Sequence, residues 1–452
     1  MRTLMWFSLG FGGSCCLWAY GFPMAWTLPV CIFCVLGSLL SLLLRKKTEL
    51  RAMRILFIGI FCGSIWFGMY RQSYLLPAVS LEGTERQLAV CATGYGEATD
   101  CGVSVDGITE HGGKTYRIRV FLDSPQDVRP GERIVGTFRV RLTIYDGADA
   151  AAYHRGNGVF LLAYEEKDVF VAPGKPVWRC YGALLAERIG QILEAYFPQD
   201  TAPFAKALLL GDTSGLTYAQ DTALKLSGIR HVVAVSGLHV SILFALLGTV
   251  TFRKKYLMIP VGLGTLLLFA ALAGFSPSVT RACIMSALLL LSLLFDRQYD
   301  GPTALSFAVL AMLAANPLVV ASVSLQLSVA SVAGIYCFRQ NIQNWLQSCY
   351  PHPKGKGLRP TLIHWFDTSV SITLSAMVFT APLCAWYFGL VSLVGPLTNL
   401  LTLWIISFIF YGIMAVTALH FLWQTGALFL AKLISLPIRY VLLVAEALAE
   451  FP

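Results

Sequence analysis

Charge is scarce in this 452-residue chain: Asp, Glu, Lys and Arg make up 13% of it, against roughly 25% in a soluble domain. With 56% hydrophobic residues, the chain lacks the polar surface that an ordinary soluble protein needs. Other absences narrow the function. None of its seven histidines forms a His-x-His pair, so that metal-binding signature is missing. Ala234-Val-Ser-Gly237 is not the Gly-x-Ser-x-Gly elbow of a serine hydrolase. Ser236 and His239 are close enough on a helix to touch, but no acidic residue nearby orients the pair. A small-solute transporter is expected to show inverted repeats or membrane carboxylates, and neither is evident.

The apolar residues are gathered into runs. They are Leu4–Tyr20, Met24–Leu44, Ile55–Tyr70, His231–Val250, Tyr256–Ala273, Ala282–Phe295, Pro302–Val320, Val323–Phe338, Thr368–Phe388, Leu393–Leu419 and Phe421–Val444. Most approach the roughly 20 residues that a helix needs to cross a bilayer. The reading is a polytopic α-helical membrane protein with about 10–11 transmembrane helices, the first run having a cleaved signal peptide as its alternative. Three basic clusters orient it: Arg45 to Arg54, Arg253 to Lys255, and Arg339 to Arg359. A cytoplasmic N-terminus puts all three inside, as the positive-inside rule requires. The same parity puts the polar stretch 81–178 outside, in a chain resident in the cytoplasmic membrane.

In that stretch runs give way to alternation. Arg86–Cys91, Gly102–Val105, Thr115–Leu122 and Arg133–Thr143 read as strands separated by turns such as Gly112-Gly113 and Pro130-Gly131. Four or five short strands suggest a small barrel or sandwich. Arg117 with Arg119, and Arg139 with Arg141, recur at period two, so each pair shares a strand face. That face is either an ordinary solvated surface or a track for a nucleic-acid backbone. The stretch holds 11 Lys and Arg against 14 Asp and Glu, a net of −3, so any polyanion contact must be local. Cys91 and Cys101 both lie here, where disulfides persist; a bridge between them and two free thiols both stay open. After it, Tyr181–Phe197 is amphipathic and is expected to lie on the outer membrane surface.

The most unusual segment follows. Gly211-Asp212-Thr-Ser-Gly215 precedes His231-Val-Val-Ala-Val-Ser236-Gly237-Leu-His239. Two histidines and a serine in an apolar run are costly unless they face protein or water. At 100° per residue His231, His239 and Ser236 fall within 140° of one another, giving one polar face. Gly237 is a candidate helix break. Asp212 is expected to cap a helix.

This stretch resembles the signature of the ComEC competence family, the DNA-uptake channels of transformable bacteria. Three further blocks follow in the family's order. They are Gly274-Phe-Ser-Pro277-Ser278-Val-Thr-Arg281, Asn316-Pro317 with Val323-Ser-Leu-Gln326-Leu-Ser328, and Pro382…Phe388-Gly389…Gly395-Pro-Leu-Thr-Asn399. Residues 81–178, with His154-Arg-Gly156 and Gly158 near their end, resemble the family's OB-like extracytoplasmic domain. The family's Gly-Phe before Gln326 is replaced by Ser324-Leu325. The resemblance implies import of single-stranded DNA during natural transformation by a channel that is not itself an enzyme and needs no cofactor. Expected lining or motif residues are His231, Ser236, Gly237, His239, Arg281, Gln326 and Asn399, with Gly211 and Asp212 in the connector. Arg117, Arg119, Arg139 and Arg141 are the candidate DNA contacts of the outward domain. The expected organisation is N-terminal helices at 1–70, an OB-like domain at 81–178, a connector at 179–230 and the channel domain at 231–452. Implied partners are single-stranded DNA, the lipid bilayer, a membrane-anchored DNA receptor, a cytosolic helicase-like ATPase and a separate nuclease. Many family members carry a metallo-β-lactamase-like domain with a His-x-His-x-Asp-His motif, which is absent from this sequence. The competing readings are a degenerate or split family member and a small-solute transporter.

Overall fold

A computed structural model describes residues 2–20, 26–43, 48–99, 102–124, 127–143, 154–251, 254–349 and 357–450. Cys101 lies outside them, as do Arg45, Lys46, Lys47, Arg253, Lys354 and Lys356 of the basic clusters. The structure is mostly helical with a small N-terminal β-barrel, and among the described residues the eleven apolar runs lie mainly on helices, with His231–Val250, Pro302–Val320 and Phe421–Val444 each divided between two elements. Among the described residues, Leu50–Val79, Pro277–Leu294, Arg359–Phe388, Gly395–Leu422 and Gln424–Ala449 are long and apolar enough to cross a membrane. Shorter apolar helices cover Thr3–Ala19, Thr27–Leu39, Gly237–Val250, Tyr256–Leu272 and Gly301–Ala315. The protein is therefore a multi-pass membrane protein. It divides into two compact units: residues 1–184 with 274–326, and residues 185–273 with 327–452.

In the first unit, helices α1 (Thr3–Ala19), α2 (Thr27–Leu43) and α3 (Thr48–Tyr70) precede the barrel. Helix α1 lies on α3 through glycines. A Cβ on Gly59 would stand 2.3 Å from the Phe7 carbonyl oxygen, and one on Gly10 would stand 2.2 Å from that of Leu56. Small residues allow this approach where hydrocarbon supplies no hydrophobic drive between helices. A π-turn at Arg71–Leu75 and the short α4 (Leu76–Val79) lead into the strands.

Six strands follow: β1 (Glu85–Ala92), β2 (Glu97–Thr99), β3 (Gly102–His111), β4 (Lys114–Leu122), β5 (Arg133–Leu142) and β6 (Val159–Ala172). Five of them close a ring in the order β1, β3, β4, β6, β5 and back to β1. Every pairing in the ring is antiparallel except β4 with β6, which is the topology of an OB-fold barrel. Alternate residues fill it: Tyr116, Ile118, Val120 and Leu122 of β4 meet Ile134, Phe138, Val140 and Leu142 of β5. Strand β6 was not expected. Its first five residues are all buried, so the alternation that marks a half-exposed strand is missing from its sequence.

Helices α11 (Pro277–Leu294) and α12 (Gly301–Ala315) and a 3₁₀ turn, Pro317–Ala321, complete this unit. The barrel is anchored to them. Asn316 donates from Nδ2 to the Arg155 carbonyl at 3.5 Å. A Cβ on Gly156 would stand 2.6 Å from the Ser322 Cα, so only glycine allows the segment before β6 to rest beside the Asn-Pro turn.

The second unit contains most of α5 (Cys180–Tyr196), then α6 (Ala202–Leu210), α7 (Tyr218–Leu226), α8 (Arg230–Val233), α9 (Gly237–Val250) and α10 (Lys255–Leu272). It also contains most of α13 (Val323–Cys349), then α14 (Leu358–Phe388), α15 (Gly395–Leu422) and α16 (Gln424–Ala449). Helix α16 is tied to the α5–α6 turn by two side-chain links. Arg439 grips Asp200 through two nitrogens at 2.7 and 3.2 Å, and Thr201 meets Ser435 at 3.2 Å between buried hydroxyls.

Candidate functional site

The His231–His239 segment is not one helix. Helix α8 is a single turn; Ala234 is extended, and so is Ser236, the residue before α9. The single polar face drawn at 100° per residue is therefore corrected, because the backbone leaves the helix between the two histidines. The break lies at Ala234–Ser236, and Gly237 is the first residue of α9. The Ser236 backbone N–H donates to Nδ1 of His239 at 3.0 Å, satisfying one of the donors that every helix start leaves open.

That bond fixes the imidazole. With Nδ1 accepting, the neutral ring carries its proton on Nε2. His239 is fully buried, and its Nε2 has no hydrogen-bond partner among the described residues. His231 takes the other tautomer: its Nδ1 donates to the Gly228 carbonyl at 3.0 Å, and the side chain is exposed.

Helix α15 supplies the facing groups. The His239 ring rests against Phe410, centroids 5.2 Å apart, and the Tyr411 hydroxyl donates to the Ile242 carbonyl at 2.9 Å. At the start of α15, Gly228 (φ +80°) packs on Ser392 and Gly395; a Cβ there would stand 2.9 Å from the Ser392 Cβ. Asn399 follows one turn later. It lies three turns before Phe410 on the same helix face, about 16 Å along the axis. Its Oδ1 is buried without a hydrogen-bond partner among the described residues, as is the Ser392 hydroxyl oxygen. Unpaired buried polar groups are rare in folded proteins, and three attend this interrupted helix and the helix it packs on.

Arg281 and Gln326 belong to the first unit. Arg281 sits one turn into α11, 5% exposed, with Nη1 3.0 Å from the Met285 sulfur. Gln326 donates from Nε2 to the Tyr20 hydroxyl at 2.8 Å and to the Val320 carbonyl at 2.9 Å, clamping α1 to the 3₁₀ turn.

In the connector, Gly211 ends α6 at φ +80°. Asp212 does not cap a helix: Thr217 caps α7, with Gln220 completing the box. Instead Asp212 Oδ1 accepts from the Ser214 amide at 3.0 Å and its hydroxyl at 2.6 Å. Oδ2 meets Lys206 Nζ at 3.2 Å. Burial pushes the Asp212 carboxyl up, but the Ser214 bonds and Lys206 outweigh it and hold it below the usual range.

Sequence reasoning passed over Asp367. It is fully buried in α14 with Ser371 and Ser375 at successive turns. The apolar run was started at Thr368, one residue too late to include it.

On the barrel, Arg119 and Arg141 flank Leu162 of β6 in register, and Phe121 and Arg139 flank Tyr164. Two arginines are already paired: Arg119 with Glu97 at 2.5 Å, and Arg139 with Glu166 at 2.9 Å. Arg117 donates to the Asn157 carbonyl at 2.9 Å. Arg141 instead lies over the Tyr164 ring, 5.7 Å from its centroid, and Tyr164 stacks on Phe121 at 5.0 Å and 9°. This aromatic pair was invisible in the sequence because β6 had not been recognised.

A family profile described as "Competence protein" matches residues 208–452, more than half of the chain. The chain belongs to the competence protein family. The matched region begins beside Gly211 and takes in the α8–α9 break and the whole of α15. The chain is also similar to ComE operon protein 3 of Bacillus subtilis (strain 168), at 32% identity over 152 residues. That alignment covers 32% of this chain and 19% of the relative. No solved structure matches.

Proposed function

We propose that this protein is the channel that carries single-stranded DNA across the cytoplasmic membrane during natural transformation. The observation that carries this reading is the interrupted α8–α9 segment, where the buried Nε2–H of His239 has no acceptor among the described residues. Irregular backbone at membrane depth is tolerated where it is buried in protein or lines a water-filled cavity. A strand of DNA brings one phosphate per nucleotide, so its path needs donors rather than a bare apolar hole. It must also bind weakly enough to release, which a neutral imidazole and an amide satisfy better than a row of lysines. His231, Ser236, His239 and Asn399 are the proposed lining of the second unit. In the first unit, taken by itself, Arg281 carries a guanidinium that suits phosphate, and Gln326 is the other motif residue.

On this reading the N-terminus lies in the cytoplasm and the barrel outside, an orientation that the positive-inside rule supports. There the Phe121–Tyr164 pair with Arg141 offers a base-stacking surface beside a cation. A membrane-anchored receptor supplies capture, and a cytosolic ATPase supplies drive. Deleting the gene in a demonstrably competent strain and scoring uptake of marked DNA is the test. Loss of transformants, restored by the intact gene, is expected; unchanged transformation defeats the reading.

A further inference from the structure

Cys91 and Cys180 are 89 positions apart, yet their thiols are within hydrogen-bonding reach of each other. Both sulfurs converge on one atom, the Ala92 carbonyl oxygen, at 3.9 Å from Cys91 and 3.4 Å from Cys180. The fold produces this meeting in two steps. Leu88, Val90 and Ala92 fill the barrel, so Cys91, between the last two, points out of it. After β6 the chain doubles back across the β4–β5 loop. There a Cβ on Gly131 would stand 2.8 Å from the Pro176 Cα, and one on Gly174 would stand 2.2 Å from the Gly131 carbonyl oxygen. That crossing delivers the start of α5 onto the outer face of β1. Cys180 ends fully buried there, its amide held by the Val177 carbonyl at 2.8 Å.

We infer that Cys91 and Cys180 are joined by a disulfide in the mature protein, stapling β1 to the start of α5. The inference rests on the outward orientation proposed above, because disulfides persist outside the cytoplasmic membrane and not in the cytosol. The oxidant is a dithiol–disulfide oxidoreductase of that compartment. The Cys91 thiolate attacks its disulfide, forming a mixed disulfide and releasing one oxidoreductase thiolate. The Cys180 thiolate then displaces the second. One S–S bond forms in this chain and one breaks in the oxidoreductase. Two electrons pass to the oxidoreductase, and the two protons lost here appear on its thiols. The staple would hold the barrel to the helix that leads into the second unit, whatever passes through the membrane.

Alkylation of full-length protein in denatured, unreduced membranes, followed by proteolysis and mass spectrometry, tests the bridge. A linked peptide pair containing Cys91 and Cys180 is expected, with Cys101 carrying the alkyl group. Alkylation of both Cys91 and Cys180, or a link from Cys91 to Cys101, overturns it. The side of the membrane is read separately, by labelling Ser124→Cys in spheroplasts with a maleimide that cannot cross the bilayer. A free pair overturns the bridge in either orientation. The Ser124→Cys label tells whether the proposed orientation fell with it. Transformation assays are not involved, so channel function and staple are judged apart.

Discussion

The Ser236 amide donates to the imidazole of His239 at 3.0 Å, so one side chain both caps α9 and presents a buried donor. The two roles separate by substitution. His239→Ala removes both, and loss of a cap costs about 1 kcal/mol. His239→Gln keeps an acceptor at the third helical position, where glutamine completes capping boxes. Melting temperature in detergent is expected to fall for the alanine variant and to recover for the glutamine variant. Uptake of marked DNA by His239→Ala is expected to drop about tenfold, equivalent to roughly 1.4 kcal/mol, at equal membrane protein level. Equal melting of the two variants would refute the cap; undiminished uptake by His239→Ala would refute the donor.

Two glycines of α3 should respond in opposite ways. A Cβ on Gly59 meets the Phe7 carbonyl oxygen, whereas one on Gly68 meets nothing within 4 Å. Gly59→Val forces α1 and α3 apart, and overpacking of this kind costs typically 1–3 kcal/mol. Gly68→Ala should be neutral or stabilising by up to about 1 kcal/mol on helix propensity. Thermal melts of the detergent-solubilised protein compare them; similar losses in both would show that α1 does not press on α3 at Gly59.

Membrane insertion and the barrel were legible because both rest on periodicity. Runs of about 20 apolar residues and the alternation of β4 and β5 follow from what each face touches. Strand β6 escaped for the same reason, since Val159 to Ala163 are buried throughout and carry no alternation. At the candidate site residue types could be read, but geometry could not. Histidines in an apolar run mark a polar place and Gly237 suggested a break, yet nothing local says that the break falls at Ala234–Ser236, with Gly237 starting the next helix. Asp212 was expected as a helix cap, but its actual partner Lys206 depends on where α6 ends, at a left-handed Gly211. Cys180 stood outside the pairing considered for Cys91 because only the chain reversal at Gly131 brings it there.

The Lys206–Asp212 contact sets a pH window for the connector. The Asp212 carboxyl is held below its ordinary value, so its stabilisation is full above about pH 3.9 and is lost as pH falls through the lower folded value. Burial lowers Lys206, but Glu194 and Asp212 outweigh it and raise the ammonium above its ordinary value. Its share is full below about pH 10.4 and is lost as pH rises through the higher folded value. Stability from this contact is therefore flat between about pH 5 and 9. Asp212→Asn should cost about 1 kcal/mol at pH 7, a modest figure because the carboxylate is partly exposed. The cost should shrink as pH falls through the lowered value of the folded carboxyl. Melting curves of both proteins across pH, read as a difference, check it; a gap that widens on acidification contradicts the pairing.

The Phe121–Tyr164 stack makes a distinct prediction about the barrel surface. Stacking of a base on an aromatic side chain contributes about 1–3 kcal/mol, so Tyr164→Ala should weaken binding of a short single-stranded oligonucleotide by roughly 5- to 150-fold. Phe121→Ala should weaken it less, since Tyr164 then keeps its place under Arg141. Arg141→Ala should reduce the slope of log affinity against log salt by about 0.7, one phosphate's worth for a single strand. Arg139→Ala should change that slope little, because Glu85 and Glu166 already flank its guanidinium at 3.4 and 2.9 Å. Fluorescence anisotropy with the full-length protein in detergent, from low to moderate salt, reads both quantities. If the aromatic variants bind as the wild type does while Arg139→Ala loses affinity, the contact runs along the paired arginines and not across the stacked rings.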